Sequence, residues 1–221
     1  MMKKCPKCGS TRLAPILYGM PTFDEEMESK LNNEELYLGG CCITGRDPQY
    51  HCFACGKDVG TPPILISKRG EEDFRKIVTS VRFIDGGFFG GHDDVTIKKT
   101  ASGIVADIYP RFQSGLPDSQ KTLTEKEWDK LLNRLFCKLY IHEWKKNYDD
   151  WTVLDGEQWS LELRLSDRRV RKYRGSNAFP AYWNELKNTF KPLLKTDYHK
   201  GGNQLHYHSF GTNQMIKRGE N

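Results

Sequence analysis

The clearest periodic pattern in the chain predicts a long amphipathic helix in its second half. Thr124 followed three residues later by Glu127 is the sequence pattern of a capping box, which marks a helix start. The apolar residues that follow lie on one stripe at helical spacing: Trp128, Leu131, Leu132, Leu135, Phe136 and Leu139. The pattern predicts a helix over 124–143 that buries this stripe against a sheet.

Alternating apolar residues elsewhere predict about five antiparallel strands. Trp159, Leu161, Leu163 and Leu165 alternate with polar residues, which is typical of a half-buried strand. We expect a loop over 110–121, where this alternation is missing. The predicted strands are 78–84, 95–97, 104–108, 159–165 and 168–174.

A second helix is expected over 181–191, with Pro180 in its first turn and Pro192 ending it. The prolines of Thr61-Pro62-Pro63 favour a linker. The predicted organisation is therefore a zinc ribbon (1–60), a linker (61–75), an α+β domain (76–195) and a polar tail (196–221). The predicted fold class is α+β, with an N-terminal zinc ribbon held by four cysteines, followed by an antiparallel sheet covered by two helices.

The N-terminal part repeats one short pattern that is typical of a metal site. Cys5 and Cys8 precede a glycine, and Cys52 and Cys55 do the same. Two such turns supply four thiolates to one tetrahedral Zn²⁺, and the glycines accept the positive φ that each turn needs. Because four thiolates leave no open coordination position, the sequence predicts one structural zinc ion, not a catalytic one.

The 43 residues between these two motifs predict a short helix over 23–31 and a strand over 36–38. Cys41 and Cys42 could compete for a ligand position, although adjacent strand residues face opposite sides, so only one of them could reach the ion. We expect the pair to be small buried residues beside the site. His51 is a further alternative ligand, and a surface position is the favoured interpretation.

Composition and charge refine this picture. The 221 residues are 37% hydrophobic and carry a net charge of +5. Residues 1–60 carry a net charge of −1 and residues 61–221 one of +6, so a polyanion is expected to meet the body. No apolar run reaches the roughly 18 residues of a membrane span, and seven cysteines favour reduced thiols, so we expect a cytoplasmic protein without a membrane partner.

Several stretches resemble uncharacterised bacterial zinc-ribbon proteins. In the head these are CPKCGS at 5–10, YGMPTF at 18–23 and GGCC at 39–42. In the body the resemblance covers the segment from Tyr148 through VLDGEQW to GSNAFPAYW, ending at Trp183. It implies a bacterial cytosolic origin and this architecture, and it carries no activity with it.

The most basic stretch of the chain is the last predicted strand. Arginines along an extended strand could follow phosphates, and a tyrosine among them could stack on a base. Alternatively, charges on an edge strand only prevent aggregation, with Glu162 opposite and Asp167 in the turn neutralising part of the run. The candidate nucleic-acid-binding residues are Arg168, Arg169, Arg171, Lys172, Tyr173 and Arg174.

An acidic cluster around the glycine-rich segment 86–91 is the candidate catalytic site. The cluster consists of Asp85, His92, Asp93 and Asp94. A histidine among carboxylates can hold a metal or perform acid–base chemistry, whereas glycine and aspartate in a hairpin often serve turn geometry. If these residues form a metal-dependent hydrolase site, their side chains should converge in one pocket.

The leading functional hypothesis is a non-enzymatic protein that binds a partner through the ribbon and the basic hairpin. Nucleic acid is slightly favoured over a protein partner, and the hydrolase is the alternative. A protein-interaction adaptor would instead expose an apolar patch near Phe88 and Phe89 or on the head. The sequence does not indicate an oligomeric state.

Overall fold

A seven-stranded sheet forms the framework of the body in the computed structural model, which describes residues 2–67, 70–87, 91–109, 115–152 and 156–194. The strand order is β10-β9-β8-β7-β12-β13-β11. Five of the six pairs of neighbouring strands are antiparallel, whereas β11 runs parallel to β13. The strands are β7 (Val78–Gly87), β8 (Gly91–Thr100), β9 (Gly103–Tyr109), β10 (Ser119–Leu123), β11 (Asn147–Asp149), β12 (Glu157–Leu165) and β13 (Val170–Ser176).

Two helices cover one face of this sheet, so the α+β class is confirmed. Helix α3 (Glu125–Cys137) buries Trp128, Leu131, Leu132, Leu135 and Phe136, the stripe that the sequence predicted, and α4 (Trp183–Leu194) buries Trp183, Leu186 and Phe190. The alternating residues of β12 face this core, with Leu161 and Leu163 fully buried. The opposite face of the sheet carries the polar alternate positions and is described below as the open face.

The sheet has more strands than the five that were predicted. Strand β10 begins inside the segment 110–121 that was expected to be a loop, and its sequence SQKTL is too polar to show a strand pattern. It forms because its backbone completes a ladder with β9 from Ser119 to Leu123. Strand β11 has only three residues and pairs with a strand more than twenty positions away. Neither pairing is visible in local periodicity.

Both helices differ from the prediction at their C-terminal ends. The capping box is confirmed, since Thr124 Oγ1 accepts from the Glu127 amide and the Glu127 side chain accepts from the Thr124 amide. However, α3 ends at Cys137, six residues before the expected end, and Tyr140 takes a left-handed φ of 52° before a 3₁₀ turn at Ile141–Glu143. Pro192 does not end α4, which continues to Leu194, and Pro180 is not in its first turn, because the helix begins at Trp183.

The N-terminal residues form a separate four-stranded sheet, which we call the head. Its order is β2-β1-β3-β4, built from β1 (Leu13–Leu17), β2 (Tyr37–Leu38), β3 (Tyr50–Cys52) and β4 (Lys57–Val59). Helix α1 (Glu25–Asn32) confirms the predicted helix, and its N-cap is Asp24, whose side chain accepts from the Met27 amide at 2.8 Å.

The segment that was predicted to be a linker is folded. Strands β5 (Ile64–Ser67) and β6 (Gly70–Asp73) pair as an antiparallel hairpin, and the short helix α2 (Phe74–Ile77) follows directly. Leu65, Phe74 and Ile77 join the core of the body. The hairpin therefore packs with the body, which the prolines at its start did not reveal.

Polar contacts connect the head to the body at several places, including an ion pair between Arg46 and Glu71 of β6. The Tyr182 hydroxyl accepts from the Lys4 amide at 3.0 Å and donates to the Lys4 carbonyl at 2.7 Å. On the other side, Glu143 accepts from the amides of Gly60 and Thr61 at 2.8 and 2.7 Å. Tyr140 also packs on the small apolar cluster beneath the cysteines. These contacts position the head directly on the body.

Candidate functional site

The four predicted ligand cysteines converge in the head. Cys5 and Cys52 are fully buried, Cys55 is half-buried and Cys8 is exposed. Each pair lies in a tight turn in which the following glycine donates its amide to the carbonyl of the first cysteine, at 2.9 Å for Gly9 and 2.8 Å for Gly56. Both glycines have positive φ, 80° and 64°, as the sequence predicted.

The sulfur positions fit a tetrahedral metal shell. All four Sγ atoms lie within 4.8 Å of one another, with 3.9 Å between Cys5 and Cys55 and 3.6 Å between Cys8 and Cys52. A tetrahedron with Zn–S bonds of about 2.3 Å has sulfur–sulfur edges of about 3.8 Å. Burial raises the pKa of the Cys5 thiol to about 12, so a cation is needed to stabilise its thiolate. The four cysteines are therefore positioned to bind one metal ion.

The alternative ligands do not belong to this group. Cys41 and Cys42 are exposed, which corrects the expectation that they are buried beside the site. His51 stacks on Tyr37 with ring centroids 3.7 Å apart, and its Nδ1 lies 2.6 Å from Asp58 Oδ1. Among the residues that the structure describes, the four cysteines are the only cluster with metal-ligating geometry.

The predicted acidic site does not assemble as one pocket. The β7–β8 register places Asp85 opposite Asp93 and Ile84 opposite Asp94. Asp85 and Asp93 therefore face the helices, whereas His92 and Asp94 face the other side, where Asp94 Oδ2 pairs with Arg82 at 2.7 Å. Because alternate strand residues point to opposite faces, the prediction that all four side chains converge is wrong.

The fold brings different partners to Asp85. Glu157, at the start of β12, and Lys187 of α4 form a cluster with it: Lys187 Nζ lies 3.3 Å from Glu157 Oε1 and 4.0 Å from Asp85 Oδ2. The pKa of Asp85 is raised to about 7, first because burial disfavours the carboxylate and then because the Glu157 carboxyl lies beside it. A cavity of about 420 Å³ adjoins Asp85, Asp93 and Lys187. Local sequence gave no signal for Glu157 or Lys187.

The basic strand is confirmed as one arm of the β12–β13 hairpin, but its side chains divide between the two faces. Tyr173 is only 3% exposed and cannot stack on a base. The guanidinium of Arg171 lies 4.5 Å from the centroid of the Phe74 ring, inside the covered face. Arg168 lies in the turn with φ of 69°, and Arg169 pairs with Asp167, as expected for that aspartate. These four residues are therefore not a continuous phosphate-binding row.

Lys172 and Arg174 remain exposed on the open face. Glu162 lies opposite Lys172 in the ladder, as predicted, but its carboxylate pairs with Arg164 at 3.1 Å. Neither Lys172 nor Arg174 forms an ion pair with a described carboxylate, and Arg174 Nε donates to Asn147 Oδ1 at 3.1 Å. These two cations are available to an external anion.

Strand β11 extends this basic surface with residues that sequence analysis missed. The Arg174 amide donates to the Lys146 carbonyl at 3.0 Å, so exposed Lys145 and Lys146 lie beside Arg174. We call Lys145, Lys146, Lys172 and Arg174 the basic edge. Trp151, two residues beyond β11, is 86% exposed. A tryptophan five residues after a pair of lysines is a signal that the sequence contained and that the strand-based reasoning did not use.

An adaptor was expected to expose an apolar patch near Phe88 and Phe89 or on the head, and the structure describes only the head. Phe88 and Phe89 lie outside the described residues, as does the predicted tail, 196–221. The head exposes Met20, Phe23 and Ile43 at 93%, 65% and 69%. Within the described ranges no helix has the length and apolar character needed to span a bilayer.

Comparisons of the chain with known protein families, with characterised proteins and with solved structures find no match.

Proposed function

We propose that this is a non-enzymatic nucleic-acid-binding protein whose head is held by one structural Zn²⁺ and whose basic edge contacts phosphates. The observation that carries the proposal is the basic edge itself, four exposed cations, with an exposed tryptophan at the far side of β11. It replaces the predicted strand 168–174, of which only Lys172 and Arg174 keep the proposed role.

The metal has a structural role in this proposal. Zinc suits four cysteine ligands, since thiolates are the ligands that structural zinc sites use. When bound, the ion would cross-link the two ends of the head and would have no coordination position for a substrate. The hydrogen bonds between Tyr182 and Lys4 then hold the ordered head against the body. A rigid head keeps its surface in a fixed position beside the sheet.

Single-stranded nucleic acid suits the basic edge better than a duplex does. Unpaired bases can stack on an aromatic side chain while the phosphates pass along neighbouring cations. Trp151 is exposed for such stacking, whereas the buried Tyr173 is not. Two cations of the edge lie on β13, and the other two lie on the residues just before β11, beside them.

Fluorescence anisotropy with labelled single-stranded RNA and DNA tests the proposal. We expect binding that weakens as salt rises, because each phosphate contact contributes about −0.7 to the slope of log K against log salt for single strands. The variant carrying Lys146→Gln, Lys172→Gln and Arg174→Gln removes three cations, so its slope should flatten by about 2. Trp151→Ala should weaken binding by about 1–3 kcal/mol with an unchanged slope.

A charge-matched control separates the edge from net charge. Lys57→Gln, Lys126→Gln and Lys130→Gln together remove three exposed lysines far from the edge in sequence, and this variant should bind like the wild type. If neither RNA nor DNA binds at low salt, or if both triple variants lose affinity equally, the proposal fails.

A second function, an acid–base hydrolase, is supported by Asp85. A carboxyl group with a pKa of about 7 beside a lysine in a cavity is a typical general acid or base. This version uses Asp85, Glu157 and Lys187, not the four residues expected from the sequence. Hydrolysis of chromogenic phosphate, ester or glycoside substrates that is lost in Asp85→Asn would support it. Activity retained in that variant would exclude Asp85 from catalysis.

A further inference from the structure

A straight row of side chains crosses the open face of the sheet and begins at the basic edge. The strand registers place Arg174 opposite Ser160, Ser160 opposite Ile84, Ile84 opposite Asp94, and Asp94 opposite Tyr109. Residues directly opposite each other in a ladder point to the same face of the sheet. These five residues therefore form one line from β13 to β9, which we call the open-face row. Neighbouring strands lie about 4.8 Å apart, so the four steps of the row span about 19 Å.

The open-face row carries apolar and aromatic surface on the side of the sheet that faces away from the core helices. Helices α2, α3 and α4 contribute their buried side chains to the core on the other face. A solvated face of an antiparallel sheet typically carries polar side chains. The open-face row instead leaves parts of Ile84 and Tyr109 exposed, since both are only half-buried. Ser160, which separates Ile84 from Arg174, is small.

Arg82 adds a flat group beside the row. Its Nε donates to Asp94 Oδ1 at 3.1 Å and its Nη2 donates to Asp94 Oδ2 at 2.7 Å. Two such hydrogen bonds fix the plane of the guanidinium. The Arg82 side chain is nevertheless 47% exposed. The hydrogen bonds with Asp94 are the main cause that raises the pKa of Arg82, and Tyr109 also contributes, so the two side chains are neighbours. Unpaired bases stack on guanidinium planes as they do on aromatic rings.

The charges of the open face are divided between its middle and its edge. Three cations in the middle are each paired with a carboxylate: Arg82 with Asp94, Lys98 with Asp107 and Arg164 with Glu162, at 2.7, 3.0 and 3.1 Å. The unpaired cations Lys172 and Arg174 lie on β13, at the basic edge. The middle is therefore close to neutral, whereas the edge is positive. A single-stranded nucleic acid has the same division, because its phosphates are charged and its bases are flat and uncharged.

We propose that the open-face row is a stacking platform for the bases of a single-stranded nucleic acid whose phosphates are held at the basic edge. The strand crosses the sheet from Arg174 towards Tyr109, its bases lie on Ile84, Arg82 and Tyr109, and its later phosphates face solvent. A length of about 19 Å suits two or three bases, the number that the aromatic side chains of an open RNA-binding sheet stack. This inference rests on the proposed function and adds to it the surface that contacts bases.

Fluorescence anisotropy with an abasic strand tests the platform. Wild type is titrated into labelled oligothymidylate and into a strand of the same length and charge that lacks bases, and the comparison is repeated with the corresponding RNA pair. Tyr109→Ala should weaken binding of the base-containing strands about tenfold, because a stacked base is lost. It should leave binding of the abasic strands and the salt slope unchanged, because no phosphate contact is lost. Tyr109→Phe keeps the ring and should bind like wild type.

Two further variants locate the platform. Arg82→Lys keeps the charge beside Asp94 and removes the planar group, so it should weaken binding of the base-containing strands several-fold and leave the abasic strands unaffected. Phe23→Ala removes an aromatic side chain that is 65% exposed on the head, and it should bind every strand like wild type. If Tyr109→Ala does not fold, Arg82→Lys decides, and unchanged affinity there refutes the platform.

The outcomes separate this inference from the proposed function. The platform is refuted if wild type binds strands with and without bases equally, or if Tyr109→Ala binds base-containing strands like wild type. It is also refuted if Tyr109→Ala weakens both kinds of strand by the same factor. In each of these cases salt-dependent binding at the basic edge would still stand. If no strand binds at low salt, the proposed function fails and the platform fails with it.

Discussion

Replacement of Asp85 by asparagine should stabilise the protein, and the gain should appear only above acidic pH. Folding raises the pKa of Asp85 from 3.8 to about 7, with burial as the main cause. The folded state therefore holds a proton that the unfolded state has already released between about pH 4 and pH 7. The stability of the wild type falls as pH rises through this window, because the charged carboxylate is disfavoured in the folded protein.

The size of the effect follows from the shift. Each pKa unit corresponds to about 1.4 kcal/mol, so the full shift corresponds to about 4 kcal/mol. The Asp85 side chain is 12% exposed, so solvent screening reduces this value only in part. Asparagine imitates the protonated carboxyl without titrating. We therefore expect Asp85→Asn to match the wild type near pH 4 and to exceed it by about 2–4 kcal/mol at pH 8.

Urea denaturation of both proteins between pH 4 and pH 8.5 measures this difference. Loss of zinc at low pH affects both proteins equally, so the difference between them isolates Asp85. Asp94→Asn is the matched control, because Asp94 pairs with Arg82 on the open face and its loss should cost less than about 1 kcal/mol. A difference between Asp85→Asn and wild type that stays constant with pH, or a variant that is less stable at pH 8, would refute the reasoning.

Three further predictions concern the head, the head–body contact and the longest helix. Cys52→Ser should lose the bound metal while Cys42→Ser keeps it, as measured by zinc content after purification under reducing conditions, because only Cys52 belongs to the ligand group. Tyr182→Phe should reduce the free energy of unfolding by about 1–3 kcal/mol, because it removes two hydrogen bonds to Lys4, and urea denaturation measures this loss. Thr124→Ala should cost about 0.5–2 kcal/mol in the same assay because the α3 capping box is lost, whereas Thr122→Ala, in the neighbouring edge strand, should cost less.

The contacts of Glu143 and Tyr182 show that the head is attached to the body and is not a separate module. The sequence suggested a zinc ribbon joined to the body by a proline-containing linker. Instead, Glu143 binds the backbone at Gly60 and Thr61, and Tyr182 binds Lys4. The two chain ends of the head are therefore both fixed to the body.

Local features were predictable because their causes are local. The spacing of Cys5, Cys8, Cys52 and Cys55 determined a four-sulfur group, since a two-residue gap and a following glycine impose one turn geometry. The capping box at Thr124 and the apolar stripe after it determined helix α3. Alternation along 159–165 determined a half-buried strand. In each case neighbouring residues contain the whole signal.

Features that depend on pairing between distant segments required the tertiary structure. The β7–β8 register separated Asp85 and Asp93 from His92 and Asp94, and β12 and α4 brought Glu157 and Lys187 to Asp85. The pairing of β11 with β13 placed Lys146 beside Arg174. Tyr173 is buried in the core, although the sequence placed it among exposed cations. The sequence by itself determined which residues could perform chemistry and how each segment folds locally. Strand register decided which of them meet, because a shift of one residue moves a side chain to the other face of the sheet.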